Sequence, residues 1–283
     1  MMDLQYLWAL GHLVTLTSAA RILYAYTIGI FSKTIPGFWY HAAYAGALVS
    51  YSIVVSKSLG VPQFNRAYLQ KAMMEDNAQY GFMAVYWFLS KPVYFSLLPF
   101  ATFSFFHVLT FFRGTILPKM FTAPTPAARP AAGSKPVQHP VVEKYGTLIG
   151  NFIKQNYDRA MFFVAYSEVG ILLWTILRAV TLRGSFTTPL IVSQWLRVRY
   201  LSSNFERKVI DNLVIRLDHM AAQQSPAINN VYKQAKSVIS MWGSAVSTPN
   251  ASANRSTASA TGVNAGTPNA AGMRERTAAA GRR

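Results

Sequence analysis

Apolar residues run along this chain without a charge for longer than a soluble helix or strand requires. Residues 4–20 are uncharged, and the apolar pattern resumes past Arg21 as far as Ile30. Residues 41–55 form a second run, entered through Phe38, Trp39 and Tyr40, aromatics of the kind that sit at a membrane–water boundary. Residues 80–112 form a third, interrupted at Lys91-Pro92, and residues 160–177 a fourth, broken by Glu168 alone. A helix needs roughly 20 largely apolar residues to cross a ~30 Å hydrocarbon core. The pattern therefore predicts an all-α, polytopic integral membrane protein built of spanning or hairpin helices. The first run starts beside Asp3 with no Lys or Arg ahead of it, unlike a secretory signal, so a retained first span is expected.

The third run is too long for one straight span. Pro92 removes a backbone donor and turns the residue before it away from helix, and Pro99 adds a second weak point. One kinked span and a short intramembrane hairpin both fit. Loop charge bears on the choice. Residues 113–159 carry seven basic and two acidic side chains, which by the positive-inside rule places them in the cytosol. The loop 57–71 and the chain after Arg178 want the same side. Four simple crossings would strand the middle segment. If 80–112 and the 160–177 region each dip and return, all three segments share one side, and hairpins of that kind wedge one leaflet and favour curved membrane.

Proline density and composition divide the rest. Pro118, Pro124, Pro126, Pro130, Pro136 and Pro140 lie close together among Ala, Gly and Ser, which predicts an extended linker over 113–142. The membrane helices then occupy 1–112, a second membrane segment 143–183, and amphipathic membrane-surface helices 184–243. The tail 244–283, rich in Ala, Ser, Thr, Asn and Gly, is expected to be disordered and basic.

Within 184–243 one helix stands out. Ser225-Pro226 reads as an N-cap followed by proline at the first helical position, and Gly243 as a stop. Ile228, Val231, Tyr232, Ala235, Val238, Ile239 and Trp242 all fall within an arc of about 120° on a helical wheel, with Lys233 and Lys236 outside it. Such a helix suits the headgroup plane, its apolar side entering lipid while Lys233 and Lys236 meet anionic headgroups. Core packing in a small cytosolic domain is the other reading. Residues 193–220 form a further helical candidate with a less clean arc, because Glu206 and Arg216 intrude.

Composition narrows the chemistry. Hydrophobic residues make up 52% and charged ones 13%, about half the soluble norm, so a soluble globular domain is not expected. Residues 113–283 hold 21 basic and 7 acidic side chains, hence +14 of the net +17, a balance that suits anionic lipid or acidic proteins. Nucleic acid is not expected, since the tail arginines have no interleaved aromatics to stack on bases. With no cysteine, there is no disulfide, thiolate nucleophile or Cys-ligated zinc. The five histidines share no metal-ligand spacing, and no phosphate loop, dinucleotide fingerprint or nucleophile elbow occurs. No metal, cofactor or catalytic site is expected, and no enzyme. Arg21 and Glu168 are the intramembrane charges, costly unless paired or turned to a bundle interior. An Arg21–Glu168 pair, snorkelling, and a transport pathway through Glu168 are the alternatives. Ala42, Gly46 and Ser50 form a small-residue stripe fit to seat a neighbouring helix.

The segment Val61-Pro-Gln-Phe-Asn-Arg-Ala-Tyr-Leu-Gln-Lys-Ala-Met-Met-Glu-Asp76 resembles the loop between spans in the transmembrane protein 33 family, which includes fungal pore-membrane proteins of the nuclear envelope. The likeness continues through Ser90-Lys-Pro-Val93, Pro99 and Phe103-Ser-Phe-Phe-His107, then around Glu168, at Pro189 and at Arg197-Val-Arg-Tyr-Leu-Ser-Ser203. It implies a non-enzymatic protein of the endoplasmic reticulum and nuclear envelope that stabilises curved membrane and supports nuclear pore distribution. Reticulon-type membrane shapers, pore components and a nuclear import receptor are the partners it implies. A transporter or channel subunit using Glu168 remains the alternative.

Overall fold

The computed structural model describes residues 3–28, 37–63, 65–121 and 139–244, and among them every regular element is helical. The linker 122–138 and the tail 245–283 lie outside the described residues. The chain divides into two compact units, Met1–Asn212 and Leu213–Arg283.

The first unit is built from antiparallel helical hairpins. Helices α1 (Leu4–Ile28) and α2 (Gly37–Leu59) cross where Gly11 meets Gly46. A Cβ on Gly46 would stand 2.5 Å from the Gly11 carbonyl oxygen, so only glycine permits this approach. Ser50 Oγ donates to the Trp8 carbonyl at 2.8 Å and Thr15 Oγ1 to that of Ala43 at 2.9 Å. Gly46 and Ser50 of the small-residue stripe thus seat α1. The polar faces of α1 turn inward: His12, Thr15 and Ser18 are buried while Leu10, Leu13 and Leu23 are exposed, the reverse of a soluble protein.

After α2, Gly60 adopts a left-handed conformation (φ 75°) and ends the helix. Helix α3 (Arg66–Met74) follows, capped by Asn65, whose side chain accepts from the Tyr68 amide at 2.7 Å. Glu75 then ends α3 and caps α4 (Asp76–Leu89), accepting from the Ala78 amide at 2.8 Å.

At Lys91-Pro92 the chain reverses. The Tyr80 ring lies 5.5 Å from Phe100 and 4.8 Å from Phe103, although a continuous helix would hold residues 80 and 103 about 35 Å apart. The single kinked span is therefore replaced by a hairpin of α4 and α5 (Leu97–Phe111), joined through a short 3₁₀ turn, Tyr94–Ser96. Helix α5 runs on through a π-type turn, Phe112–Ile116, into α6 (Leu117–Met120). The linker expected from Arg113 accordingly starts later. Pro118, which has no amide to donate, follows closely on that π-type turn, near the end of the continuous helix.

Helix α7 (Pro140–Val180) is one 41-residue rod, with Pro140 at its first turn and His139 as N-cap. It does not dip and return within 160–177. The return comes after Val180 through Leu182, which takes a left-handed φ of 57°, into α8 (Thr187–Ser202). The candidate helix 193–220 is broken at Ser203, where the backbone is extended, and α9 (Asn204–Ala222) begins there. Residues 187–202 belong to the packed core rather than the membrane surface: Val192, Trp195, Leu196 and Arg199 are buried.

The reversals share one end. The Tyr94 ring lies 5.6 Å from both Tyr26 and Tyr40, and Arg178 donates to the Pro92 carbonyl at 3.4 Å. At the opposite end Gln5 reaches Thr115, and Asp76 reaches Arg199. Among the described residues three helices are long and apolar enough to cross a membrane: Gly37–Leu59, Tyr94–Met120 and Pro140–Val180. Helix α1 matches them in length but carries His12, Thr15, Thr17, Ser18 and Arg21, whereas α4 and α8 are only about 21 and 24 Å long.

Candidate functional site

The densest concentration of chemistry lies where α4, α7, α8 and α9 meet. Arg199, on the inner face of α8 one turn beyond Trp195, is 1% exposed and is surrounded by acids from three other helices. Its Nε lies 3.4 Å from Glu168 Oε2, its Nη1 2.6 Å from Asp76 Oδ1, and its Nη2 3.9 Å from Glu206 Oε1. The guanidinium also sits over the Tyr80 ring, 5.0 Å from its centroid, and donates weakly to Gln79 Oε1 at 3.5 Å. Tyr80 donates its hydroxyl to Glu168, and Gln79 Nε2 bonds Ser202 Oγ and the Met73 carbonyl.

Glu168 therefore pairs with Arg199, not Arg21. Arg21 is exposed and lies against the neighbouring Tyr24 ring instead. The reason is registry: α1 packs on α2 and α5, while Glu168 faces α4 and α8. Burying ionised groups is expensive unless each is paired and hydrogen-bonded. Here Glu168 has both a cation and a hydroxyl donor, and Asp76, whose side chain is 63% exposed, opens the network to the outside. Glu206 is the less satisfied member. One of its oxygens finds no partner, and burial together with nearby Glu168 holds its carboxyl well above the usual range, so it stays protonated near neutrality. The cluster can tie four helices together; compensated in this way, Glu168 is poorly suited to carrying ions.

Arg199 and Glu206 had a detectable signature in the chain. Arg199 continues the apolar stripe of Trp195 and Leu196, and Glu206 intrudes on an apolar arc. A charge on the inner side of a helix implies a buried partner, but no local rule names it. His12 and His107, distant in sequence, also meet, with rings 4.5 Å apart and Ser104 Oγ 3.0 Å from His12 Nδ1. Among the described residues no three His, Cys, Asp or Glu side chains are placed to hold a metal.

The second unit contains α10 (Pro226–Ser244), which starts at the proline the capping pattern marks. It folds back on α9. Asp218 receives the Tyr232 hydroxyl at 2.8 Å and the Lys236 ammonium at 2.7 Å, and these two partners hold its carboxyl below its ordinary value. Lys236 is thus engaged by Asp218 while its side chain stays 45% exposed, and Lys233 and Ala235 are exposed. Ile228 and Val231 are 52% and 67% exposed, and line an apolar depression with Ala227 and Tyr232. The side chains of Val238, Ile239 and Trp242 lie outside the described residues.

The antiparallel pairing aligns the apolar sides of the two helices. With Asp218 turned to α10, Leu217 points about 100° to one side of α9, and Leu213 and Met220 lie farther round in the same sense, about 140° and 160° from Asp218. With Tyr232 and Lys236 turned to α9, Ile228 and Val231 point about a quarter-turn aside on α10. Because the helices run in opposite directions, turns of the same sense bring Leu217, Ile228 and Val231 to one face.

The family profile described as Transmembrane protein 33/Nucleoporin POM33 matches residues 1–245, ending one residue past α10. The chain belongs to that family. It is 28% identical over 270 residues to Tetra-spanning protein 1 of Schizosaccharomyces pombe, covering 91% of this chain and 92% of that one. To Nucleoporin POM33 of Chaetomium thermophilum it is 28% identical over 244 residues, 82% of this chain and 83% of the relative. To the pore membrane protein of 33 kDa of Saccharomyces cerevisiae it is 25% identical over 253 residues, 84% and 82% of the two chains. No solved structure matches. Membership in the transmembrane protein 33 family makes the chain an integral membrane protein of the nuclear envelope and endoplasmic reticulum, in a family of membrane and nucleoporin-type proteins rather than enzymes.

Proposed function

We propose that this protein organises curved membrane at the nuclear envelope and endoplasmic reticulum and supports the placement of nuclear pores. The observation that carries the reading is the two-helix platform of α9 and α10, held by Asp218 and presenting Leu217, Ile228 and Val231 on one face. Two amphipathic helices sharing one face cover more lipid than one, and apolar side chains of this kind enter the packing defects that curvature opens. Helical spacing puts Val238, Ile239 and Trp242 on the same arc of α10, and Lys233 provides a charge for anionic headgroups. The reversals after Leu89 and Val180 support the same reading, since each pairs a long apolar helix with a short one, α4 with the Tyr94–Met120 segment and α8 with α7.

Relatives bear names tied to the nuclear pore, which supports pore components as partners. Reticulon-type membrane shapers belong to the same reading through its curved-membrane role, and the basic tail is the natural contact for an import receptor. The test is flotation of a 204–247 fragment with liposomes of graded radius and anionic content. Recovery should rise on small, anionic vesicles and disappear for a Val231→Asp/Ile239→Asp fragment. Equal recovery of both fragments would sink the platform as a membrane-binding element.

A further inference from the structure

A further exposed apolar helix face lies in the first unit, far in sequence from α9 and α10. Helix α3 carries Tyr68, Leu69, Ala72 and Met73 on one side. Tyr68 and Ala72 are half-buried against the protein, but Leu69, Met73 and the adjoining Met74 are 55%, 52% and 64% exposed. The apolar sector is thus wider than the protein surface that covers it. The same stretch holds Lys57, Arg66 and Lys71, and no acid occurs from Lys57 to Met74.

Depth decides what covers the rest. Helix α3 is fixed to the start of α4 by the Glu75 cap, and Gln79 bonds the Met73 carbonyl, so its level is set by the length of α4. That helix reaches only about 21 Å from the reversal at Lys91-Pro92, whereas α1 and the Tyr94–Met120 segment measure about 37 and 40 Å. A hydrocarbon core is about 30 Å thick. With the reversal at the far boundary of such a core, α3 stands no higher than the near boundary between acyl chains and headgroups, below the water above it. The flanking α8, about 24 Å long, is equally short.

We infer that α3 is an in-plane, anionic-lipid-binding helix, with Leu69 and Met73 in the acyl boundary and Arg66 and Lys71 on lipid phosphates, seated where the short α4 and α8 thin the bilayer. The mismatch between long and short helices gives the protein a thick and a thin flank, and lipid accommodates such a step by local thinning. The basic pair supplies the complementary charge, and the membrane is already present around the helices that α3 connects.

The chain has no cysteine, so single-cysteine spin labels report without background. Leu69→Cys, Met73→Cys and Lys71→Cys variants of the full chain are reconstituted in vesicles of phosphatidylcholine, with or without phosphatidylserine. Collision rates with oxygen and with a water-soluble nickel chelate are then measured. Labels at 69 and 73 should favour oxygen and the label at 71 nickel, so the ratio inverts within a single helical turn. Adding phosphatidylserine should deepen the labels at 69 and 73, and Arg66→Ala/Lys71→Ala should abolish that shift. Nickel access at all three positions would overturn the inference, as would labels at 69 and 73 shielded from both quenchers, the mark of a protein partner. Depth unchanged by phosphatidylserine would overturn the anionic headgroup assignment.

Discussion

Arg199 Nε lies 3.4 Å from Glu168 Oε2 across 31 residues of chain, with both side chains withdrawn from solvent. The pair joins the outgoing leg of one hairpin to its return, and through Asp76 and Glu206 it also holds α4 and α9. Breaking a buried pair from one side leaves an uncompensated charge, at a cost of about 3–5 kcal/mol, while replacing both partners by apolar groups is often neutral. Arg199→Met should therefore lower the thermal midpoint of the detergent-solubilised protein sharply. Arg199→Met/Glu168→Met should recover part of the loss. A single variant as stable as the parent would show that the pair is dispensable.

Glu206 predicts a pH dependence of opposite sign to that of an ordinary paired carboxylate. Its folded-state pKa is raised from 4.5 to about 10, so between those values the folded protein binds more protons than the unfolded chain. Its contribution is most favourable below about pH 4.5 and is lost as pH rises toward 10. Glu206→Gln keeps the neutral form at every pH, and should raise stability at neutral and alkaline pH while flattening the decline. Thermal unfolding from pH 6 to pH 9 tests this; parallel curves for parent and variant would count against a protonated Glu206.

The contact of Gly11 with Gly46 leaves no room for a side chain. Even Gly46→Ala places a methyl 2.5 Å from a backbone oxygen, so α1 and α2 must separate. A loss of about 1–3 kcal/mol is expected for either glycine replaced by alanine. Ala45→Leu, on the exposed side of α2, should be tolerated. Thermal midpoints of the three variants provide the comparison, and a Gly46→Ala protein as stable as Ala45→Leu would refute the close crossing.

The shared end of the reversals predicts a simple labelling pattern. In sealed microsomes an impermeant maleimide should reach Lys71→Cys and Lys144→Cys directly. Lys91→Cys and Arg183→Cys should react only after permeabilisation, or remain unlabelled if the hairpins stop within the bilayer. Reaction at Lys91→Cys in intact vesicles would invert the assigned sidedness. Glycosylation of Asn250 or Asn254, both in Asn-X-Ser sequons, would do the same for the tail.

Chain-local physics carried most of the architecture. Uncharged apolar runs found the long helices, proline and serine located the start of α10, and loop charge favoured a return in both membrane blocks before any helix was placed in space. Those signals are readable because span length, capping and charge asymmetry depend on neighbours in sequence. Chain order alone could not choose between a kink and a reversal at Lys91-Pro92, since both satisfy the same proline; the contact of Tyr80 with Phe103 does. Nor could it find the partner of Glu168. Arg21 and Arg199 are equally plausible cations on a one-dimensional chain, and only the packing of α8 against α4 and α7 brings one of them within reach. Pairings across the fold depend on helix registry, which is set jointly by close crossings such as Gly11 with Gly46 and by the lengths of all the helices at once.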